Sequence, residues 1–137
     1  MTTFTQSTPT FTGVFGGTVK SGNDYTFPSS AESWAGFSND DTTIYPLNFS
    51  NAGKITFDYV SSSSASLYFR IEDQPHPNVS VNFNTISYTV NGTGSGEVTI
   101  NSQGVTGFNS LLLYLETTDV TITLTNIIVF SDLTSVN

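Results

Sequence analysis

KITFDYVSSSSASLYFRIE, Lys54–Glu72, is the stretch on which the fold turns. On either side of its serine run the residues alternate with a period of two, as a half-buried strand requires. Ile55, Phe57 and Tyr59 point one way, and Lys54, Thr56 and Asp58 the other. Leu67, Phe69 and Ile71 share a face, and Tyr68, Arg70 and Glu72 share the opposite one. Ser61–Ser64 reads as a flexible polar turn joining two strands.

The same period recurs downstream. Ile86, Tyr88 and Val90 alternate with Ser87 and Thr89. Leu111, Leu113 and Leu115 stand against Leu112, Tyr114 and Glu116, and Val120, Ile122 and Leu124 against Thr121, Thr123 and Thr125. Asn126 marks a bulge, after which Ile127–Phe130 is apolar on both faces. Asn91–Gly96, NGTGSG, reads as a hairpin loop. Upstream, Phe15-Gly16-Gly17 breaks a strand with a glycine turn or bulge, and Asn23-Asp24 begins another turn. Ser29–Thr43 is mostly loop, and Ile44–Phe49 a short strand that Pro46 places at an edge. No segment carries a useful helical stripe. About eight to ten short strands divided by turn residues predict an all-β, two-sheet antiparallel sandwich, its apolar faces packed together as the core. Residues 1–10 read as a tail or linker, 11–131 as the sandwich, and 132–137 as a second tail.

Composition narrows the function. The chain has 137 residues, the size of one domain, and can bury a core without staples. It has no cysteine, which removes disulfides and thiolate chemistry. Three basic residues, Lys20, Lys54 and Arg70, stand against 11 acidic ones, for a net charge of −8. Such a surface repels phosphate backbones and anionic bilayers, so neither nucleic acid nor membrane is expected as a partner. Ser and Thr make up nearly a third of the chain, a make-up closer to secreted or cell-surface β proteins than to cytosolic enzymes. Met1–Thr10 has no basic start and no apolar run. An exported protein would carry its leader elsewhere, with this chain as one module of a larger multidomain protein.

Catalytic constellations are thin. His76, the single histidine, lies between Pro75 and Pro77 with no nucleophile motif nearby, so an exposed turn histidine is the expectation. A glycosidase needs two placed carboxylates, and Asp58, Glu72, Glu116 and Asp119 form no compact motif. An enzyme is not expected. Zinc lacks ligands. For calcium the available side chains are Asp24, Asp40, Asp41, Asp119 and Asp132, without EF-hand spacing. These acids also suit turn caps and Asx-turns.

Two binding features stand out. Trp34, the one tryptophan, sits in SAESWAGFSNDDTTIYPLNF, Ser30–Phe49, with Tyr45 before Pro46. It is either a core plug among Ala35, Gly36 and Phe37 or a flat platform facing a ligand. Tyr68, Arg70 and Glu72 share one sheet face at roughly 6.5–7 Å spacing. An exposed salt bridge is the bland reading. The sharper one is a sugar site, where ring C–H faces stack on Trp or Tyr and hydroxyls pair with Arg, Glu, Asn or Gln.

The phrases ESWAGFSN, IYPLNFSNAGKITFDY, LYFRIEDQPHPN and GFNSLLLYLETTDVTITLTNIIV, in that order, resemble the small β-jelly-roll carbohydrate-binding modules of secreted glycan-active proteins of marine bacteria. The likeness covers roughly residues 11–130. It implies a non-catalytic domain that holds a polysaccharide, most plausibly a β-glucan such as the β-1,3-glucan laminarin. By position it makes Trp34, Tyr45, Tyr68, Arg70, Glu72, Gln74 and His76 the candidates for ligand binding. It also implies a structural calcium near the chain ends, with Asp24 and Asp132 as ligands. The rival is a structural or adhesive β-sandwich repeat of a surface protein, without a small ligand. A further idea comes from Thr121, Thr123 and Thr125, a flat row like those of ice-binding faces, although three such residues also suit an ordinary solvent-facing strand.

Overall fold

The alternation around Lys54–Glu72 does not belong to two strands. In the computed structural model, which describes residues 4–133, Gly53–Glu72 is one strand of 20 residues. In chain order the strands are β1 (Phe4–Ser7), β2 (Gly13–Phe15), β3 (Val19–Ser21), β4 (Asp24–Thr26), β5 (Gly36–Ser38), β6 (Leu47–Asn48), β7 (Gly53–Glu72), β8 (Asn82–Asn84), β9 (Tyr88–Ile100), β10 (Gly107–Phe108), β11 (Ser110–Leu115) and β12 (Thr121–Asp132). A 3-10 turn, Thr42–Ile44, is capped by the Asp41 carboxylate.

β7 lies between two sets of neighbours. Its first half pairs with β12 on one side and β9 on the other, and its second half with β11 and with β8 and the start of β9. β12 carries β4 and then β3, and β1 at its far end. β11 carries β5 and then β2. Every pairing is antiparallel among the described residues. The two halves face each other as the expected antiparallel sandwich. Tyr25 of β4 meets Phe37 of β5 edge to face at 4.9 Å across the interior, and Phe57 and Phe69, one from each half of β7, lie 5.8 Å apart. Ile55, Phe57, Leu67, Phe69, Ile71, Leu113, Ile122 and Leu124 are all buried, as their alternation predicts.

The two expected turns are where β7 and β9 pass from one half to the other. The register slips between Ser61 and Ala65, opposite Gly92 and Val90. Ser61 Oγ donates to the Ser63 carbonyl at 2.6 Å inside this bulge, and Gly92 takes a φ of 75°. Small residues on both strands let the ribbon kink without ending. Gly94 and Gly96 serve a different purpose from turning. A Cβ on Gly96 would lie 2.6 Å from Phe57 Cζ and 2.8 Å from Tyr88 Cζ, and one on Gly94 2.7 Å from the Tyr59 hydroxyl. These glycines leave room for rings.

Other expectations are corrected. Ile86 does not share the face of Val90; it is 79% exposed and precedes β9. Buried Thr85 takes the inward place, its Oγ1 accepting from the Phe69 N–H at 3.0 Å where the ladder is interrupted. Residues 4–7 of the expected tail form β1, with Phe4 packed on Phe130 at 6.0 Å. Asp132, expected to open the second tail, ends β12; residues 1–3 and 134–137 lie outside the described residues. The Asn126 bulge is as expected. The expected strand Ile44–Phe49 shrinks to β6, Leu47–Asn48, because Ile44 ends the 3-10 turn; Pro46 flanks it, and among the described residues it pairs only with β10.

Adding a methyl at Gly96 should force the Phe57 and Tyr88 rings apart. Gly96→Ala is expected to lose about 1–3 kcal/mol of stability in urea unfolding, the usual cost of overpacking. Combined with Phe57→Leu, the loss should be clearly less than the sum of the two single changes. Strict additivity would mean that the ring does not occupy that space.

Candidate functional site

The outward face of the β2–β5–β11–β7 half carries aligned side chains from four strands. Tyr68 is opposite Tyr114, Arg70 opposite Leu112 and Glu72 opposite Ser110. Leu112 in turn faces Ser38, and Phe15 faces Gly36. On the other side of β7, Arg70 is opposite Asn84 and Glu72 opposite Asn82. Over this face runs a groove of about 870 Å³, whose walls include Trp34, Phe15, Tyr114, Tyr68, Arg70, Glu72 and His76.

Four rings form a continuous strip. Trp34 lies parallel to Phe15 (6.5 Å between centroids, 5° between planes), and Phe15 meets Tyr114 edge to face at 6.0 Å and 79°. Tyr114 stacks on Tyr68 at 5.2 Å and 18°. Trp34 is 60% exposed, so it is not a core plug, and its ring stands open at the groove. Each remaining ring is half-buried and held by neighbours, which limits the freedom lost on ligand contact. Burial pushes both phenols up; at Tyr114 Glu72 adds to the effect, at Tyr68 Glu116 does, and Arg70 opposes it at each. Both hydroxyls therefore stay protonated near neutrality.

Beside the strip is a polar cluster. Arg70 Nε donates to Glu72 Oε2 at 2.8 Å, and its Nη1 to Asn82 Oδ1 and Asn84 Oδ1 at 3.3 Å each. Glu72 is 5% exposed, and its Oε1 accepts from Ser110 Oγ at 3.3 Å. A buried carboxylate needs such partners. Here they fix the guanidinium in one orientation at the groove floor. The two charges also cancel, leaving a polar but nearly neutral surface.

The far wall is the loop after β7. Asp73 Oδ1 accepts from the backbone N–H groups of Gln74, Ser80 and Val81 at 2.9–3.0 Å, and Asn109 Nδ2 donates to the Asp73 carbonyl. This clasp carries Pro75 and His76 to the groove rim.

The structure thus brings Trp34, Tyr68, Arg70, Glu72 and His76 together and leaves out two candidates. Gln74 is exposed beside the loop but does not line the groove. Tyr45 packs against the core, its hydroxyl accepting from the Leu111 N–H at 2.8 Å and Asn39 Nδ2 at 3.0 Å. Phe15, Tyr114, Ser38 and Ser110 join the site without having been singled out. Tyr114 was legible as outward-facing beside Leu111–Leu115; what the sequence lacked was the register that sets it against Tyr68.

Asp24 and Asp132 do not fit one calcium site. Asp24 pairs with Thr123 across β12, its Oδ1 accepting from that hydroxyl at 2.5 Å. Asp132 stands at the other end of β12, accepting from Ser50 N and Oγ at 2.8 and 2.6 Å. Among the described residues no group of three or more His, Asp or Glu is placed to hold an ion. No helix of the described residues is long and apolar enough to cross a membrane.

No family model and no curated protein matches the sequence. Among solved structures the chain is similar to the CBM22-1 xylan-binding domain of Paenibacillus barcinonensis Xyn10C. The two share 20% identity at a TM-score of 0.53, over 88% of this chain and 81% of that one. The likeness bears out the β-jelly-roll fold expected from the sequence.

The Asp73 clasp has a pH signature. The N–H groups of Val81 and then Ser80 hold its carboxyl below the usual aspartate range. A carboxylate depressed in the folded state contributes stability above its unfolded value, near ~3.9, that is lost as pH falls through the folded one. The melting temperature is therefore expected to drop below about pH 4, with a shallower drop in Asp73→Asn. In that variant the amides of Ser80 and Val81 should exchange faster at neutral pH. Unchanged exchange would show that the loop is held without the clasp.

Proposed function

We propose that this chain is a non-catalytic carbohydrate-binding module that holds a neutral polysaccharide in the groove over β2, β5, β11 and β7. One observation carries the reading: a row of four neighbouring rings, Trp34 at its open end, runs beside the fixed Arg70–Glu72–Asn82–Asn84 cluster. Sugars present apolar C–H faces and hydroxyls together, and this surface offers a partner to each. The Arg70–Glu72 pair leaves no net charge for an acidic ligand to seek. Among the described residues Glu72 is also the one carboxylate lining the groove, and its oxygens are engaged by Arg70 and Ser110; glycoside hydrolysis uses two. That supports binding without cleavage.

The expected ligand is a β-glucan, with β-1,3-glucan such as laminarin first. Xylan is the second reading, because the similar solved domain is described as xylan-binding. A structural or adhesive role without a small ligand would instead have a neighbouring domain cover Trp34. A ring covered on one face by a sugar removes ~80 Å² from water, worth about 2 kcal/mol. Two such contacts plus a few hydrogen bonds, less rigid-body entropy, give roughly micromolar to millimolar affinity. Such strengths suit a secreted or cell-surface multidomain protein in which several modules act together.

Soluble laminarin or xylan in a native gel should retard the protein. Trp34→Ala should weaken binding by roughly 30-fold while leaving the melting temperature nearly unchanged, since the ring is mostly exposed. A full panel of neutral glucans and xylans with no retardation would sink the proposal, as would a Trp34→Ala variant that binds as well as the parent.

A further inference from the structure

Among the described residues β9 pairs with β7 and with no other strand. The hydrogen bonds of its neighbours fix which backbone groups it leaves over. The Leu124 N–H donates to the Asn23 carbonyl on the β4 side, so Thr123 turns its backbone to Val60 of β7, and Tyr59 turns to Gly94 of β9. Backbone direction alternates residue by residue along a ladder. Thr93, Ser95 and Glu97 therefore aim their N–H and C=O groups away from the sheet, and all three are exposed. A weak contact lies on this edge: the Tyr88 hydroxyl donates to the Ser95 carbonyl at 3.4 Å. Native proteins commonly blunt such edges with lysine or proline. From Tyr88 to Ile100 there is neither, and the one charged residue, Glu97, is paired with Lys54 at 3.3 Å.

We propose that β9 is the seam of a homodimer: two copies pair antiparallel, β9 to β9, about a two-fold axis through Gly94. The occupant is a second copy because the strand is nearly a palindrome about that residue. Thr93 answers Ser95, Gly92 answers Gly96, Asn91 answers Glu97, Val90 answers Val98 and Thr89 answers Thr99. A two-fold axis makes one patch meet itself, so each residue must suit its mirror position. Here hydroxyl meets hydroxyl and glycine meets glycine. At a net charge of −8 two copies repel in general. Gly92–Gly96 carries no charge, and Glu97 meets the partner's Asn91, so the seam sets no acid directly against another. Thr93 and the partner's Ser95 form the pair that exchanges both N–H···O bonds. None of the groove walls lies on β9. The dimer therefore presents two open grooves, whatever they hold, and offers avidity to a repeating ligand.

Sedimentation equilibrium of the whole chain, without any glycan, tests this at concentrations up to about 1 mM. A monomer–dimer equilibrium is expected. Ser95→Pro removes an outward N–H that β7 does not use, a change an edge strand tolerates, and should weaken the dimer roughly 30-fold, two hydrogen bonds being lost across the axis. Thr93→Asp sets a carboxylate beside the partner's Glu97 and should weaken it as well; it guards against a Ser95→Pro protein that does not fold. The register has its own test, because the chain has no cysteine. Thr93→Cys mixed with Ser95→Cys should form a disulfide-linked dimer in oxidised glutathione, since directly paired positions lie within bridging distance. Either variant alone should cross-link far more slowly. A parent that stays monomeric throughout would overturn the proposal, as would a dimer that neither Ser95→Pro nor Thr93→Asp weakens. Cross-linking of each variant alone as fast as the mixture would overturn the axis at Gly94.

Discussion

The sandwich depends on a single bent ribbon. β9 pairs along its whole length with Gly53–Leu67 of β7, and the two pass together from one half of the fold to the other. A strand of 20 residues could not do this while keeping its inward alternation unless both partners yielded at one point. They yield where β7 offers four serines and β9 offers Asn91 and Gly92. Parity survives the bulge, so Ile55 and Phe57 on one side and Leu67, Phe69 and Ile71 on the other are all buried. Beyond the bend, Phe57 and Phe69 of the same strand touch across the interior. The core is closed by one strand folding over itself, with β12 and β11 extending each half.

That parity also fixes the groove. Because Leu67, Phe69 and Ile71 must face inward, Tyr68, Arg70 and Glu72 must face outward. β11 is held to the same rule by Leu111, Leu113 and Leu115, which puts Tyr114 beside Tyr68 and Ser110 beside Glu72. The groove floor is the obverse of the core, so its geometry inherits the rigidity of close packing. The wall residues are less constrained. His76 depends on the Asp73 clasp, and Trp34 rests on Phe15 with more than half of its surface open.

Much of this was legible in the sequence, for a physical reason. A period of two over five or six residues is a strong signal when one face is buried, and it located the inward and outward sets of β7, β11 and β12. It also put the Tyr68–Arg70–Glu72 row on one face. Two things were not legible. Short-range turn chemistry could not tell a serine run or a glycine run that ends a strand from one that bends it. Ser61–Ser64 and Asn91–Gly96 therefore read as turns, although each glycine of the second run answers a long-range demand: a kink at Gly92, and clearance for Tyr59, Phe57 and Tyr88 at Gly94 and Gly96. Nor does the period reveal which strands are neighbours. Phe15 and Tyr114 join the site only through the pairing of β2 with β5, β5 with β11 and β11 with β7, none of which is local. Tyr45 failed as a site residue for the opposite reason: its hydroxyl is spent on the Leu111 N–H and Asn39.

The Arg70–Glu72 pair shows how a nearly neutral site can still be demanding. An exposed pair of this kind would contribute at most about 1 kcal/mol to stability. Here Glu72 is almost fully buried, so its charge must be matched, and Arg70 and Ser110 are what match it. The guanidinium is thereby committed to an inward partner through Nε and to Asn82 and Asn84 through Nη1. An arginine so tethered cannot swing out to capture a carboxylate or sulfate at the expense of its own partner, because that would strand a buried acid. The same side chains thereby make the floor of this face polar while leaving it little net charge.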